Sequence, residues 1–350
     1  MPASRRGSVS LRSERLEDYY TVEKILGKGQ YGIVKLCTNK ATGEQYAAKH
    51  MRKRKGRMGV PIGDIKREMD IMNKLTHGRH LMGLHDAFET QTEIVLILDL
   101  LSGGELFDHL ATMDCLTEGE TVAFTVQVLE ALRIMHSSQI VHLDLKPENL
   151  MLKDKHKKEL VLIDFGLARE LDGSGLRLML GTAEFIAPEV VSFDEITTAT
   201  DMWSLGVLIY IMLSGYSPFL GDDQADTYAN ISAGEYDLDD EYFGDVSDEA
   251  KDFISKLLIL NPKKRMTLDE CLSHPWLNPT PKTEVRRLDS KRLKAFNARR
   301  KLKAGINAVR GSVKFRLSLE RISIGKRQCS LTSSSPSPPV KEEDDVFKTE

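Results

Sequence analysis

The chain has 350 residues, 41% of them hydrophobic and 29% charged, enough for two domains or one large two-lobed one whose core needs no staples. Its four cysteines (Cys37, Cys115, Cys271, Cys329) stand far apart with no CxxC pair, which argues against a zinc module or a disulfide framework and for reduced thiols. The net charge of −3 hides an uneven spread: Tyr19 to Thr280 carries 27 basic and 41 acidic residues, and Pro281 onward carries 18 and 8, so an acidic body precedes a basic tail that it can attract.

The first 18 residues are polar, with Arg5, Arg6 and four serines among the first 13, and are expected to be disordered without a secretory apolar stretch. Thr21–Gly27, Ile33–Thr38 and Gln45–His50 then read as three short strands with glycine punctuation. Asp64 to Leu75 reads as a helix, because Ile65, Met69 and Met72 recur at helical spacing. Glu93–Leu98 (EIVLIL) reads as a buried strand. After Ser102-Gly103-Gly104 the character turns helical. Thr117 to His136 is a long amphipathic segment, with Thr117 and Glu120 spaced as a capping box. Asp201 to Leu213 is apolar nearly all round and should be a core helix. The run Met202–Leu213, about 12 residues, falls short of the roughly 20 that a membrane span needs. A β-rich part followed by an α-rich part predicts two lobes hinged near Asp99–Gly104. Beyond Pro275, Pro279 and Pro281 a basic helical segment is expected over about Asp289 to Lys314. Ser330–Pro339 is low-complexity and the last ten residues are acidic, both expected to be disordered.

Several short motifs carry chemistry. Gly27-Lys28-Gly29-Gln30-Tyr31-Gly32-Ile33-Val34 is GxGxxGxV between two predicted strands. Glycines let backbone amides approach a phosphate with no Cβ in the way. A dinucleotide site would want a helix next, and here a strand follows; a plain hairpin turn is the bland alternative. Lys49 lies on the third strand in YAAK, where a lysine on a solvated face is the ordinary reading, and Glu68 on the next helix could pair with it. His142-Leu143-Asp144-Leu145-Lys146-Pro147-Glu148-Asn149 is the sharpest signal. An Asp can orient and accept the proton of a hydroxyl, a Lys two residues on can neutralise a phosphoryl oxygen, and an Asn three further can ligate a divalent metal. Asp164-Phe165-Gly166 follows a short strand, Leu160–Ile163, and offers a second metal ligand. Ala187-Pro188-Glu189 comes 23 residues later.

In this order and spacing the motifs resemble the signature of eukaryotic protein kinases, from about Tyr19 to Leu277. The resemblance implies an α+β fold of the bilobal kinase type. Its β-rich N-lobe would span 19–101 and its helical C-lobe 102–278, followed by a C-terminal regulatory helix, with ATP and Mg2+ in the cleft. It implies Asp144 as catalytic base, Lys146 as phosphate neutraliser, and Asn149 and Asp164 as Mg2+ ligands. Lys49, braced by Glu68, would hold the α- and β-phosphates. Leu26, Gly27, Lys28, Gly29, Gln30, Gly32, Val34 and Ala47 would surround the nucleotide, and Asp99 and Leu101 would be the hinge that meets adenine. Thr182 would buttress the catalytic loop, and Glu189 would pair with Arg265. Lys146 in the catalytic loop resembles the Ser/Thr pattern. Glu105 and Glu148 resemble positions that face an Arg before the target hydroxyl, which implies an Arg-x-x-Ser/Thr preference; Ser8 (RRGS) and Ser330 (RQCS) fit it. Leu143 stands where most kinases carry Arg, so activity without loop phosphorylation is expected.

HLDLKPEN, GTAEFIAPEV, TDMWSLGV, SGYSPFLGD, KDFI and HPWL resemble the calcium/calmodulin-dependent group, nearest to myosin light chain kinases and death-associated protein kinases. The basic run Arg52-Lys53-Arg54-Lys55-Gly56-Arg57 resembles the second, and Ala298-Arg299-Arg300-Lys301 with Asn307-Ala308-Val309-Arg310 resembles the first. Arg286 to Arg316 holds 12 basic residues and one acid, Asp289. With Phe296, Leu302, Ile306, Val309 and Phe315 as apolar anchors, residues 279–318 suit calmodulin and, by charge, the acidic body. Leu302 stands where related segments carry Trp, which buries more surface. The resemblance thus implies an autoinhibited, calcium/calmodulin-activated kinase, cytoplasmic or cytoskeleton-associated and expected to be monomeric. It would have no nucleic-acid partner and no transmembrane segment, and myosin regulatory light chain is a candidate substrate. A death-associated-type role, a pseudokinase scaffold, and a lipid-binding or plain solvated tail stand as alternatives. Residues 319–350 would be a disordered tail.

Overall fold

Period-two alternation decides which residues of the N-lobe face which core. The computed structural model describes residues 8–29, 32–54, 59–76, 78–113, 115–156, 158–278, 287–303 and 305. Strands β1 (Leu11–Arg12), β2 (Tyr20–Gly29), β3 (Gly32–Asn39), β4 (Gln45–Arg52), β5 (Leu84–Glu89) and β6 (Glu93–Leu98) form one sheet in the order β1-β5-β6-β4-β3-β2. Every pair is antiparallel except β1 with β5. In β4, Ala47 and Met51 join the main core, while Ala48 between them joins a second core with Leu16, Tyr20, Cys37, Phe88, Val95 and Ile97. Helix α2 (Ile62–Lys74) buries Ile65, Met69 and Met72 at the spacing read from the sequence, and Glu68 with them.

Residues 8–18 are not disordered, contrary to expectation. Val9, Leu11 and Leu16 are the apolar exceptions in that polar stretch, and each finds a place. Leu16, in the single turn α1 (Leu16–Tyr19), covers the second core. Arg12 binds Asp86 at 2.8 Å and lies 4.0 Å over the Tyr19 ring. Leu11 and Arg12 pair with Ala87 and Phe88. The strand β5 itself was not legible, because its mixed sequence LHDAFE shows neither alternation nor an apolar run.

The C-lobe packs α3 (Leu106–Thr112), α4 (Glu118–Ser137), α5 (Pro188–Val191), α6 (Thr198–Ser214), α7 (Gln224–Ala233), α8 (Asp240–Phe243), α9 (Asp248–Leu257) and α10 (Leu268–Ser273). Thr117 and Glu120 form the capping box foreseen for α4. Helix α6 starts three residues before the expected Asp201, because Thr197 and Thr200 make a second capping box. It is buried from Thr200 to Ser214. Gly206 lets it approach α9: a Cβ there would meet the Leu257 Cβ at 2.9 Å. Short strands β7 (Gly104–Glu105), β10 (Leu150–Leu152) and β11 (Leu160–Leu162) form one small sheet; β9 (Ile140–Val141) pairs with β12 (Arg169–Glu170). Burial pushes the thiols of Cys37 and Cys271 up to about 11 and about 12, which leaves both inert near neutral pH. Among the described residues no helix is long and apolar enough to cross a membrane.

Past residue 278, the described residues 287–297 belong to the same compact unit as the two lobes. Strand β13 (Arg287–Asp289) pairs antiparallel with β8 (Cys115–Thr117). A helix follows over residues 290–303, where the sequence suggested one from 289 to 314; residues 306–314 lie outside the described part. Leu288, Leu293 and Phe296 are buried, the Phe296 ring 6.2 Å from Phe107, and Asn297 donates to Asp108 at 2.9 Å. Apolar side chains spaced within a basic stretch made that docking invisible as sequence. In the second unit, residues 298–303 are helical and Leu302 is 65% exposed.

Two buried carboxylates hold the C-lobe. Glu189 takes a two-pronged contact from Arg265, Nη1 to Oε1 at 2.9 Å and Nη2 to Oε2 at 3.0 Å. Asp201 accepts the backbone N–H groups of His142 at 2.9 Å and Leu143 at 3.0 Å, and a bond from His136 Nε2 at 2.9 Å. Burial alone would raise the Asp201 carboxyl, but His136 and His142 outweigh it and hold it below the usual range.

Arg265→Ala should cost about 3–5 kcal/mol, since it strands a buried carboxylate. Glu189→Ala should cost less, because Arg265 keeps the Ala199 and Ile259 carbonyls. Urea midpoints of the two variants check that order. Asp201→Asn should cost about 1–3 kcal/mol, because one of the two backbone donors then faces an amide N–H. The depressed carboxyl stabilises the fold fully above its unfolded value of about 3.9, and that share drains as pH falls through the lower folded value. The stability gap between Asp201→Asn and the parent should therefore narrow below about pH 4, as read by denaturant titration at several pH values.

Candidate active site

The cleft between the two lobes gathers the motifs that the chain keeps apart. Pairing of Val34 with Lys49 and of Leu36 with Ala47 puts Val34, Ala47 and Lys49 on one face of the sheet. From that face Lys49 Nζ reaches Glu68 Oε1 of α2 at 2.7 Å and Asp164 Oδ1 at 3.5 Å. Glu68 is 4% exposed. Burial alone would lower the Lys49 ammonium, but the two carboxylates outweigh it and hold it above the ordinary lysine range. Burial would likewise raise the Asp164 carboxyl, and Lys49 and His142 bring it below its usual value.

The loop from His142 to Asn149 closes into a network. Lys146 Nζ meets Asp144 Oδ2 at 2.6 Å and donates to Thr182 Oγ1 at 3.0 Å. Thr182 donates to Asp144 Oδ1 at 2.8 Å. Asn149, in the 3-10 turn Pro147–Asn149, donates from Nδ2 to the Asp144 carbonyl at 2.8 Å and to Asp144 Oδ2 at 3.2 Å. Both amide hydrogens are thus spent on Asp144, and among the described residues no hydrogen bond takes the Asn149 Oδ1 or the Asp164 Oδ2. Two hard oxygen donors flanking an acidic loop fit a Mg2+-type ion, which takes one or two protein ligands and completes its shell with water and phosphate. His142 pins the loop from within: its Nδ1 accepts from the Asp144 N–H at 3.2 Å and its Nε2 donates to the Ile163 carbonyl at 3.2 Å. Sequence reasoning passed over His142 and Asp201, whose partners lie on distant parts of the chain.

Other expected site residues fall as follows. Asp99 turns its side chain away from the sheet's cleft face, to His85 Nε2 at 2.6 Å and the Gly83 N–H at 2.9 Å. Its N–H goes to Gly83 O at 3.1 Å, and among the described residues no hydrogen bond takes its carbonyl or the Leu101 N–H. Leu26 sits at a bulge between Ile25 and Gly27 and is exposed. Gly32 has a reason beyond phosphate approach, because a Cβ there would lie 2.0 Å from the His50 carbonyl oxygen of β4. Gln30, Ile306, Val309 and Phe315, residues 55–58, Ser330 and the side chain of Lys28 lie outside the described residues. Glu105 is in β7, which pairs with β10, and β10 directly follows the turn holding Glu148. Leu143 is buried with φ of 65°. Among hydroxyls of the loop Leu167–Glu184, Ser174 is exposed and Thr182 is tied to Asp144.

Comparison with known proteins agrees with this geometry. Residues 20–277 match the family model described as protein kinase domain. The chain is 46% identical over 286 residues to death-associated protein kinase 2 of Mus musculus, covering 79% of this chain and 77% of that one. It is 41% identical over 351 residues to smooth-muscle myosin light chain kinase of Gallus gallus, covering 98% of this chain but only 18% of that much longer protein. Among solved structures, the twitchin kinase region of C. elegans superposes with a TM-score of 0.80 at 39% identity, over 86% of this chain and 53% of that one. A twitchin kinase fragment described as an autoregulated protein kinase superposes at 0.79, also at 39% identity, over 86% and 67%. The bilobal fold, the clustered motifs and these matches together make the chain a member of the protein kinase family, a serine/threonine kinase of the branch that holds the death-associated and myosin light chain kinases.

Proposed function

We propose that the chain is a catalytically active, Arg-directed serine/threonine kinase whose basic tail blocks it until calcium/calmodulin draws the tail away. The observation that carries the catalytic part is the Asp144–Lys146–Thr182–Asn149 network beside Lys49–Glu68–Asp164. A pseudokinase scaffold would be expected to lose one of these groups. Asp144 orients the substrate hydroxyl and takes its proton as the oxygen attacks the γ-phosphorus of ATP. Lys146, already held by Asp144 and Thr182, neutralises a phosphoryl oxygen. Lys49 holds the α- and β-phosphates, and its charge is secured by Glu68. Asn149 and Asp164 would hold Mg2+, which when bound neutralises charge on the phosphates. Leu26, Val34 and Ala47 would enclose the base, with the free Asp99 carbonyl and Leu101 N–H as its polar contacts. Leu143 is apolar and buried, so no loop phosphate is needed to order this loop.

Substrate choice rests on Glu105 and Glu148, two carboxylates on neighbouring elements that suit an Arg N-terminal to the target hydroxyl. Myosin regulatory light chain fits that chemistry. The regulatory part rests on the charge of the tail, Arg286 to Arg316, against the acidic body, and on the likeness to the twitchin kinase fragment, an autoregulated protein kinase. Calmodulin needs a differential affinity of a few kcal/mol to shift the blocked state to the open one. Burial of Phe296 narrows the calmodulin anchors to Leu302, Ile306, Val309 and Phe315. A soluble, cytoplasmic monomer is the matching setting.

Asp144→Ala should lower turnover on an Arg-x-x-Ser peptide at least ~100-fold; near-normal turnover in the purified variant would end the catalytic assignment. Truncation after Asn297, which leaves the docked segment intact, should give an enzyme active without calcium and blind to calmodulin. Full-length protein that is equally active and indifferent to calcium/calmodulin would defeat the regulatory part.

A further inference from the structure

The segment ordered before β2 is fastened to the helix that carries Glu68. Val9 gives its N–H to Asn73 Oδ1 at 2.8 Å and takes a bond from Asn73 Nδ2 into its carbonyl at 2.8 Å. A single side chain thus clasps both polar groups of one residue, 64 positions away in sequence. Asn73 is the penultimate residue of α2, five residues beyond Glu68. Two further ties, the pairing of Leu11 with Ala87 and the Arg12–Asp86 bridge, fix the segment onto β5. Ser8, next to the clasp, is exposed. The sequence before it is Arg5-Arg6-Gly7.

We propose that Ser8 is a phosphoacceptor of this kinase, and that phosphate there keeps the strap 8–12 off α2; the proposal rests on the Arg-x-x-Ser reading above. While Val9 is clasped by Asn73 its backbone cannot extend through a substrate cleft, so only the released strap is a substrate. In the step, Ser8 Oγ of one molecule bonds to the γ-phosphorus of ATP bound to another. The bond from that phosphorus to the bridging oxygen breaks, ADP leaves, and the hydroxyl proton passes to Asp144 of the second molecule. Two effects then oppose re-docking. The phosphate oxygens compete with Asn73 Oδ1 for the adjacent Val9 N–H. The clasp also sits at the C-terminal turn of α2, the negative end of the helix dipole, which disfavours a dianion. Lys74, the basic residue of that turn, is engaged by Glu170 at 2.5 Å. Release removes a support from the helix that holds Glu68 against Lys49.

The test uses full-length wild type with Mg-ATP and saturating calcium/calmodulin as catalyst and inactive Asp144→Ala chains as substrate, so that catalysis is constant. Mass spectrometry should find phosphate on Ser8 and none at that site in Asp144→Ala/Ser8→Ala. Adding Asn73→Ala to the substrate chain should raise the initial rate at Ser8 on the order of tenfold, the loss of two hydrogen bonds that keep the strap closed. Ser8→Glu in the active enzyme should lower kcat/KM on an Arg-x-x-Ser peptide about threefold and speed hydrogen exchange in residues 69–74, whereas Ser8→Ala should leave both unchanged. Equal Ser8 rates with and without Asn73 would overturn control by the strap. If a peptide of residues 3–13 is phosphorylated but Ser8 in the chain is not, the site is wrong and the Arg-x-x-Ser reading stands. If that peptide is refused by an enzyme active on other serine peptides, the substrate reading fails and Ser8 fails with it.

Discussion

A single buried carboxylate sets the shape on which the cleft depends. Asp201, fully inside the C-lobe on the rigid helix α6, receives two successive backbone N–H groups from the loop that bears Asp144. Those bonds hold Leu143 in the left-handed region, a conformation that costs a bulky residue roughly 1–2 kcal/mol. A loop in that strained state aims the next residue, Asp144, into the cleft rather than along a continuing strand. His136 and His142 together hold the Asp201 carboxyl below its usual range, although burial alone would raise it. The functional carboxylate is thus positioned by another carboxylate that never meets solvent.

The cleft shows how opposing costs are balanced. Lys49, Glu68 and Asp164 share a poorly hydrated space, where an unpaired charge would be expensive. Each charge is compensated by its neighbours. Asp144 and Lys146 repeat the arrangement a few residues away, with Thr182 completing the hydrogen bonds of both. Lys49 and Glu68 come from the N-lobe, and Asp164, Asp144 and Lys146 from the C-lobe. Their relative placement therefore passes through the hinge, which is tied from behind by Asp99 to His85 and Gly83.

What could be read from the sequence followed from how locally each feature is encoded. The glycine loop, the 142–149 loop and Asp164-Phe165-Gly166 are short contiguous runs in which residue type and spacing already state the chemistry. Helix α2 was legible because its apolar period is clean, and α4 because its cap lies three residues from its partner. Asp201 was not, since its bonds reach back 58 to 65 residues and its own surroundings look like plain apolar helix. Gly32 looked like a phosphate glycine, yet the carbonyl of His50 alone excludes any side chain there. Phe296 read as one anchor among several in a basic helix; only the presence of Phe107 opposite it makes it part of the folded lobe.

The order of strands in the large sheet has a consequence for how the molecule assembles. Leu11 and Arg12 precede every other strand in the chain, but their partners are Ala87 and Phe88, and β5 is itself completed by β6. During synthesis the first of these strands must wait, unpaired, for some eighty residues to emerge and fold. It is two residues long and sits at an edge, so closing that long loop brings little reward until the rest of the sheet stands. The strap is therefore the last piece of the N-lobe to settle and the first able to leave, and its departure exposes only one short edge while the remaining five strands keep their pairing.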